Sequence, residues 1–323
     1  MPGEKKKLVL TAHWPGPVMA ALDADYDLTA PEGDNRLTGE ALFDALQGAW
    51  ALAPVYYDKI DAEFIARLPA SLKIIASFGV GVDHIDLGAA RTKNLRVSNT
   101  PDVLTADTAD LTIGLMIAAA RGFHERETAL RNGDWAGSAV GESLHHRVSG
   151  KTLGIIGMGR IGRAVARRAR AFDMDVLYSS RSRKPELEAS LGIIWCEGID
   201  ALLAEADFVS LHPALTEETR HLMNARRLGL MKQGAYLINT GRGALVDEAA
   251  LVEALKAGHL GGAGLDVYER EPQLAPGLAD MANVTLLPHI GSATTETRAA
   301  MGLRVKENLD AYRDTGEPGD AVV

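Results

Sequence analysis

Three short segments in the last third of the chain bring together an arginine, a glutamate and a histidine. "LINTGRGALVDE" places Arg242 just past an apolar run, in a glycine-flanked turn. "GLDVYEREP" places Asp266 at the end of another such run and Glu271 before Pro272. "LLPHIGSAT" places His289 after a third. A guanidinium can grip a carboxylate in a planar bidentate pair. An imidazolium can protonate a carbonyl oxygen as hydride arrives at carbon. A neighbouring carboxylate favours the charged imidazole and fixes its tautomer. Taken singly these are ordinary residues: a glutamate before proline is usually surface, and a histidine after a strand is often a packing residue. As a set they suit the reduction of a 2-oxo acid, and such chemistry needs a hydride donor.

Upstream, Gly157-Met158-Gly159-Arg160-Ile161-Gly162 spells G-x-G-x-x-G between an apolar strand and a helix, the context that gives this pattern its meaning. The first glycine allows the tight turn, the second admits a pyrophosphate, and the third lets helix and strand pack closely. The helix N-terminus then favours the phosphates. The following strand should end in an acid that holds the ribose hydroxyls. It ends instead in Ser180-Arg181-Ser182-Arg183, and no acid occurs before Glu186. An acid would repel a 2′-phosphate, whereas arginine and serine can donate to it. The expected cofactor is therefore NADP(H), with NAD(H) as the alternative.

These groups need a scaffold of parallel strands, because ligands of open α/β sheets lie beyond the carboxyl ends of strands. The sequence predicts strands at Lys7–Leu10, Ala51–Tyr57, Lys73–Phe78 and Leu95–Ser98, with helical spacing at Gly39–Leu46 and Asp61–Leu68. A long apolar helix, Asp102–Arg121, follows with Asp102 near its N-cap. The alternation then restarts with a strand at Leu153–Gly157, a helix at Arg160–Phe172 and a strand at Asp175–Ser179. Further strands are expected at Phe208–His212, Ala235–Asn239, Ala263–Val267 and Val284–Pro288. A last helix, Thr294–Tyr312, ends near Gly316. Alternation of this kind predicts an α/β fold with parallel sheets.

The 323 residues, 46% of them hydrophobic, suffice for one large domain or two ordinary ones. With 34 basic and 43 acidic residues the net charge is −9, which argues against general binding of nucleic acid or an anionic membrane. Cys196 is the only cysteine, so neither an intrachain disulfide nor a cysteine metal cluster is expected. His145 and His146 have no third ligand at useful spacing, and no metal is expected. No signal peptide or membrane helix is legible. The expected location is the cytoplasm.

Over almost its full length the chain resembles the D-2-hydroxyacid dehydrogenases, through "GIIGMGRIG", "LHPALTEETRHLMN", "LINTGRGALVDE", "GLDVYEREP" and "LLPHIGSAT". The resemblance implies that Arg242 binds the substrate carboxylate and carbonyl, that His289 is the general acid–base, and that Glu271 is its orienting partner. It implies cofactor contacts from Thr105, His212, Pro213, Thr219, Thr240, Asp266 and Gly291, besides the glycine loop. Asp266 would lie near the nicotinamide carboxamide. "SFGVGVDHID" resembles the family's substrate loop, whose Val80 and Gly81 amides hold the carboxylate. The implied architecture is two doubly wound domains. A Rossmann cofactor domain, about 100–288, is inserted into a flavodoxin-like substrate domain made of 1–99 and 289–323. The family also implies a homodimer through the cofactor domains, with an arm, about Phe123–Ser149, reaching the partner.

"YSSRSRK" and "SFGVGVDHID" resemble the NADPH-preferring glyoxylate and hydroxypyruvate reductases, so the expected substrate is glyoxylate or hydroxypyruvate. A 2-ketogluconate-type sugar acid is the competitor within this group. Phosphoglycerate, formate and phosphite dehydrogenases fit the residues less well, and a dinucleotide-sensing corepressor is the non-enzymatic alternative. Tyr56, in the unusual pair Tyr56-Tyr57, is a substrate-pocket candidate that would narrow the pocket or hydrogen-bond a substrate hydroxyl, with surface packing as the alternative. Trp135 is a second pocket candidate.

Overall fold

The computed structural model describes residues 5–135, 137 and 144–323. They form two compact units, Met1–Leu104 with Ala293–Val323, and Thr105–Ser292. No helix among the described residues is long and apolar enough to cross a membrane.

The first unit is a five-stranded parallel sheet in the order β2-β1-β3-β4-β5, built from β1 (Lys6–Leu10), β2 (Tyr26–Thr29), β3 (Ala51–Ala53), β4 (Ile74–Ala76) and β5 (Arg96–Ser98). This 2-1-3-4-5 order is the flavodoxin-like one. Its strands are short and buried on both faces, as parallel strands between helices must be; Leu8, Leu52, Ile74 and Ile75 are all buried. Two expectations change here. The strand over Ala51–Tyr57 stops at Ala53, because Pro54 cannot donate to the ladder. The chain then turns, with Val55 N bonded to Asp58 Oδ2 (2.8 Å) and Asp58 N to Val55 O (3.0 Å). Tyr56 and Tyr57 therefore sit in a turn beyond the strand. Strand β2 went unread because it follows the helix Gly16–Asp25 with no intervening turn signal.

The second unit is a seven-stranded parallel sheet. Its strands are β6 (Thr152–Ile156), β7 (Asp175–Ser179), β8 (Ile194–Trp195), β9 (Phe208–Leu211), β10 (Tyr236–Asn239), β11 (Gly262–Leu265) and β12 (Val284–Leu286), in the order β12-β11-β10-β9-β6-β7-β8. Counted from β6 this is the 3-2-1-4-5-6 order of a dinucleotide-binding sheet, with one further strand. One face packs on the helices Thr105–Arg121 and Arg160–Ala171, around Ile113, Met116, Val165 and Ile238. The other packs on Ile199–Glu205, Ala225–Leu230 and Glu248–Lys256, around Leu202, Leu228, Leu237 and Leu251.

The long helix starts at Thr105, three residues later than the sequence suggests. Asp102 lies outside it: its φ is 69°, in the left-handed region, and Val103 N bonds back to Pro101 O (2.9 Å). At the other boundary, His289–Ser292 stay with the second unit. His289 N donates to Asp266 O (2.8 Å), and the Asp266 carboxylate takes the amides of Ile290 (2.7 Å) and Gly291 (2.8 Å).

Candidate active site

Six of the seven strands of the second sheet deliver a candidate residue just past their carboxyl ends. In spatial order these are His289 after β12, Asp266 after β11, Thr240 and Arg242 after β10, His212 after β9, the glycine loop after β6 and Ser180 after β7. The strand order reverses between β9 and β6, where such sheets open a crevice for ligands.

Glu271 and His289 form a tight pair. Glu271 Oε2 lies 2.8 Å from His289 Nδ1, and both side chains are 18% exposed. Glu271 Oε1 accepts the Tyr268 amide at 3.0 Å, so both carboxylate oxygens are aimed. Commitment of Nδ1 to a carboxylate fixes the orientation of the ring. His289 itself has φ 55°, an unfavourable region for a residue with a Cβ. Asp266 sustains it by bonding three successive amides, those of His289, Ile290 and Gly291. Asp266 is fully buried; that burial pushes its carboxyl up, opposed by the Ile290 amide and by His289.

Arg242 stands in the turn that leaves β10. Asn239 braces this turn: its Nδ2 donates to Arg242 O (2.8 Å) and its Oδ1 accepts from Gly241 N (3.0 Å). The next residue must be glycine, since a Cβ on Gly243 would lie 1.8 Å from the Tyr268 carbonyl carbon. The Arg242 turn is thereby pressed against the backbone of the segment that carries Glu271.

The glycine loop behaves as its pattern predicts. Gly157 has φ 96°, and a Cβ there would lie 2.6 Å from the His212 and Pro213 backbone; one on Gly162 would lie 2.2 Å from Gly157 O. A Cβ on Gly159 would meet nothing within 4 Å, so the approach to the helix N-terminus is open. Met158 is buried in the core, which leaves only its backbone to face a ligand. Arg160 is exposed and Ile161 half-buried on the first turn.

His212 is enclosed at the base of this loop. Nε2 lies 2.8 Å from Ser210 Oγ, and Nδ1 is shut from solvent with no hydrogen-bond partner among the described residues. The residue as a whole is only half-buried, but the ring is not solvated, and burial pushes its pKa down to about 4. The unfolded chain's imidazole, near 6.5, takes a proton first as pH falls. The stability this neutral ring contributes is thus complete above about pH 6.5 and declines from there towards pH 4. The expected loss at pH 4.5 is on the order of 2 kcal/mol. Denaturant unfolding at pH 7 and 4.5 checks it: the fall should shrink by that amount in His212→Asn, and an equal fall in both proteins would refute it.

The remaining candidates fall in several places. Thr240 is buried and hydrogen-bonded to Thr112 (2.7 Å), whose hydroxyl donates to Thr108 O (2.7 Å). Thr108 in turn donates to Gly291 O (3.1 Å). Gly291 is packed between Asp266 and Thr108. Thr105 is half-buried at the start of the same helix. The Thr219 hydroxyl is spent on its own loop, donating to Ala214 O and accepting from Thr216 N (both 2.8 Å). At the end of β7, Arg181 is exposed and forms no ion pair among the described residues. Ser180 Oγ donates to Ser182 O, and Lys184 Nζ donates to Ser182 Oγ. Arg183 does not stand free beside Arg181. It makes a two-pronged pair with Glu188 (2.7 and 2.9 Å) and lies over the Trp195 ring.

In the first unit, Asn99 Nδ2 donates to Val80 O (2.7 Å) and Thr100 N to Gly79 O (2.9 Å), holding the Val80-Gly81 loop from behind. Tyr56 and Tyr57 rest on each other, ring centroids 3.8 Å apart, with their hydroxyls bonded. Trp135 is exposed. Much of the expected arm, residues 136 and 138–143, lies outside the described residues. Its flanks include the helix Phe123–Asn132, with His145 against Gly122 and His146 edge-on to Tyr236. Sequence reading missed Thr108, Thr112 and Glu248, whose contacts are long-range, and Asn239 and Tyr268, which brace the turns next to them.

Residues 113–291 match the family described as D-isomer specific 2-hydroxyacid dehydrogenase, NAD binding domain. The glyoxylate reductase of Thermococcus litoralis is 43% identical over 312 residues, which span 95% of this chain and 94% of that one. A glyoxylate reductase structure from Paecilomyes thermophila aligns at TM-score 0.87 and 39% identity, covering 98% of each chain. An NADPH-dependent glyoxylate/hydroxypyruvate reductase from Sinorhizobium meliloti, solved with NADP and malonate, aligns at TM-score 0.88 and 34% identity. That match covers 99% of this chain and 97% of the other.

Proposed function

Because the chain belongs to the D-isomer specific 2-hydroxyacid dehydrogenase family, we propose that it reduces a small 2-oxo acid, glyoxylate or hydroxypyruvate, to the D-2-hydroxy acid with NADPH. The observation that carries this reading is the Glu271–His289 pair at 2.8 Å, standing one strand away from the Arg242 turn. The glyoxylate reductase relatives support the substrate, and the Sinorhizobium enzyme's NADP complex supports the cofactor.

The second unit suits a dinucleotide. Gly159 leaves the helix N-terminus open, the first-turn amides need acceptors, and an uncharged His212 sits behind the Gly157 turn. When bound, the nicotinamide supplies hydride. Arg242 binds the substrate carboxylate and polarises the 2-oxo group. His289 delivers the proton at Nε2 to the carbonyl oxygen. Glu271 offsets the imidazolium charge and fixes the ring. Asp266 holds the His289 segment with both carboxylate oxygens, leaving its remaining lone pairs for the carboxamide. On this reading the first unit is the substrate domain, with Val80 and Gly81 amides taking the carboxylate and Tyr56 bounding the substrate. The protein acts as a homodimer through its second unit.

The NADPH preference rests on Arg181 at the end of β7. Arg183, occupied by Glu188, buttresses this turn while Arg181 meets the 2′-phosphate. Initial rates with NADPH and NADH test this. In Arg181→Asp, the ratio of kcat/KM for NADPH over NADH should fall by roughly 100-fold, from a lost charged hydrogen bond and an added repulsion. An unchanged ratio would return the serine–arginine segment to the status of a solvated loop.

A further inference from the structure

Glu248 is a carboxylate that the chemistry above does not use. It lies in the first turn of the helix Glu248–Lys256, directly after Asp247, which caps that helix by accepting the Ala250 amide. The residue is only 5% exposed. A buried carboxylate is costly unless donors meet it. Here one does: Oε1 accepts the Glu269 amide at 2.8 Å. Burial pushes the Glu248 carboxyl up, and the Glu269 amide opposes that shift.

This amide belongs to the segment that carries Glu271. In that segment Tyr268 N bonds Glu271 Oε1 and Gln273 N bonds Arg270 O (2.8 Å). On its other side, the Glu269 carboxylate lies 2.7 Å from His221 Nε2, and His221 N bonds Ala244 O (2.8 Å) in the turn after Arg242. Strand β11 ends at Leu265, and no regular element resumes until β12, so the position of Glu271 depends on these bonds. We propose that Glu248 is a positioning residue for the Glu271–His289 pair, acting through the backbone of Glu269. The proposal rests on the reading of that pair as proton donor and orienting partner. It assigns Glu248 no contact with substrate or cofactor.

A displacement of the reacting group by about 1 Å costs on the order of 100-fold in rate. Glu248→Ala should therefore lower kcat for glyoxylate reduction roughly 10- to 100-fold while the KM for NADPH stays within twofold of wild type. Glu248→Gln keeps one carbonyl for the Glu269 amide, so it should recover part of the loss. A readout that mere loss of stability would not move is the downfield proton resonance of His289 Nδ1, observed on the NADP-bound protein. It should be sharp in wild type, absent in Glu271→Gln, and shifted or broadened in both Glu248 variants. If Glu248→Ala does not fold, Glu248→Gln carries the same two measurements. Wild-type kcat and an unmoved resonance in the folded Glu248 variants would overturn the proposal, provided Glu271→Gln loses activity. Wild-type activity in Glu271→Gln would instead overturn the reading of the pair on which the proposal stands.

Discussion

His289→Ala is expected to lower kcat for glyoxylate reduction by roughly 100- to 10,000-fold, the usual worth of a positioned general acid, while NADPH binds as it does to wild type. The geometry dictates the split. Glu271 holds Nδ1 at 2.8 Å, so the ring is fixed in orientation and has a carboxylate to stabilise its charge. Glycine loop, β7 end and His212 belong to other strands and do not depend on the imidazole. Quenching of protein fluorescence by NADPH measures binding, and steady-state rates measure chemistry. A variant with kcat within tenfold of wild type would show that the proton comes from elsewhere. Loss of NADPH binding would show that His289 supports the fold of the site instead.

Arg242→Ala is expected to be comparably severe but differently distributed. Two charge-assisted hydrogen bonds to a carboxylate contribute about 3–5 kcal/mol together, and kcat/KM for the 2-oxo acid should fall by roughly 100- to several-thousand-fold. Because the turn is braced by Asn239 and seated by Gly243, deleting the side chain should leave its backbone in place. Arg242→Lys keeps the charge and loses the planar fork, so it should recover only a minor part. Rates with glyoxylate check both variants. Full recovery by lysine would reduce the role of Arg242 to charge alone, and unchanged kcat/KM in the alanine variant would remove it from the site.

The residues whose placement was legible are those that sit within a few positions of a strand end. Arg242, Asp266 and His289 are of this kind, because parallel strands deliver their carboxyl-terminal neighbours to one edge whatever the tertiary detail. The glycine loop was legible for the same reason. The supports were not. Thr108 meets Gly291, 183 positions away, and Glu248 meets Glu269, 21 positions away. Nothing local distinguishes either from a helical surface residue. Arg183 looked equivalent to Arg181 in the sequence, and only the fold brings Glu188 and Trp195 against it. Strand ends misled where proline intervened, as at Pro54, and the left-handed residue Asp102, after which the helix starts only at Thr105, leaves no compositional mark.

Along the second sheet, the groups read as binding the substrate carboxylate and moving the proton follow β10, β11 and β12, and those read as meeting the pyrophosphate and the ribose follow β6 and β7, with β9 between them. This lateral separation makes the two tasks independently evolvable. Randomising only 180–184 should yield a family of variants spread along the NADPH–NADH axis at nearly constant kcat, because no strand that holds a proton-transfer group is touched. A lineage on this scaffold can change its electron currency without rebuilding its chemistry.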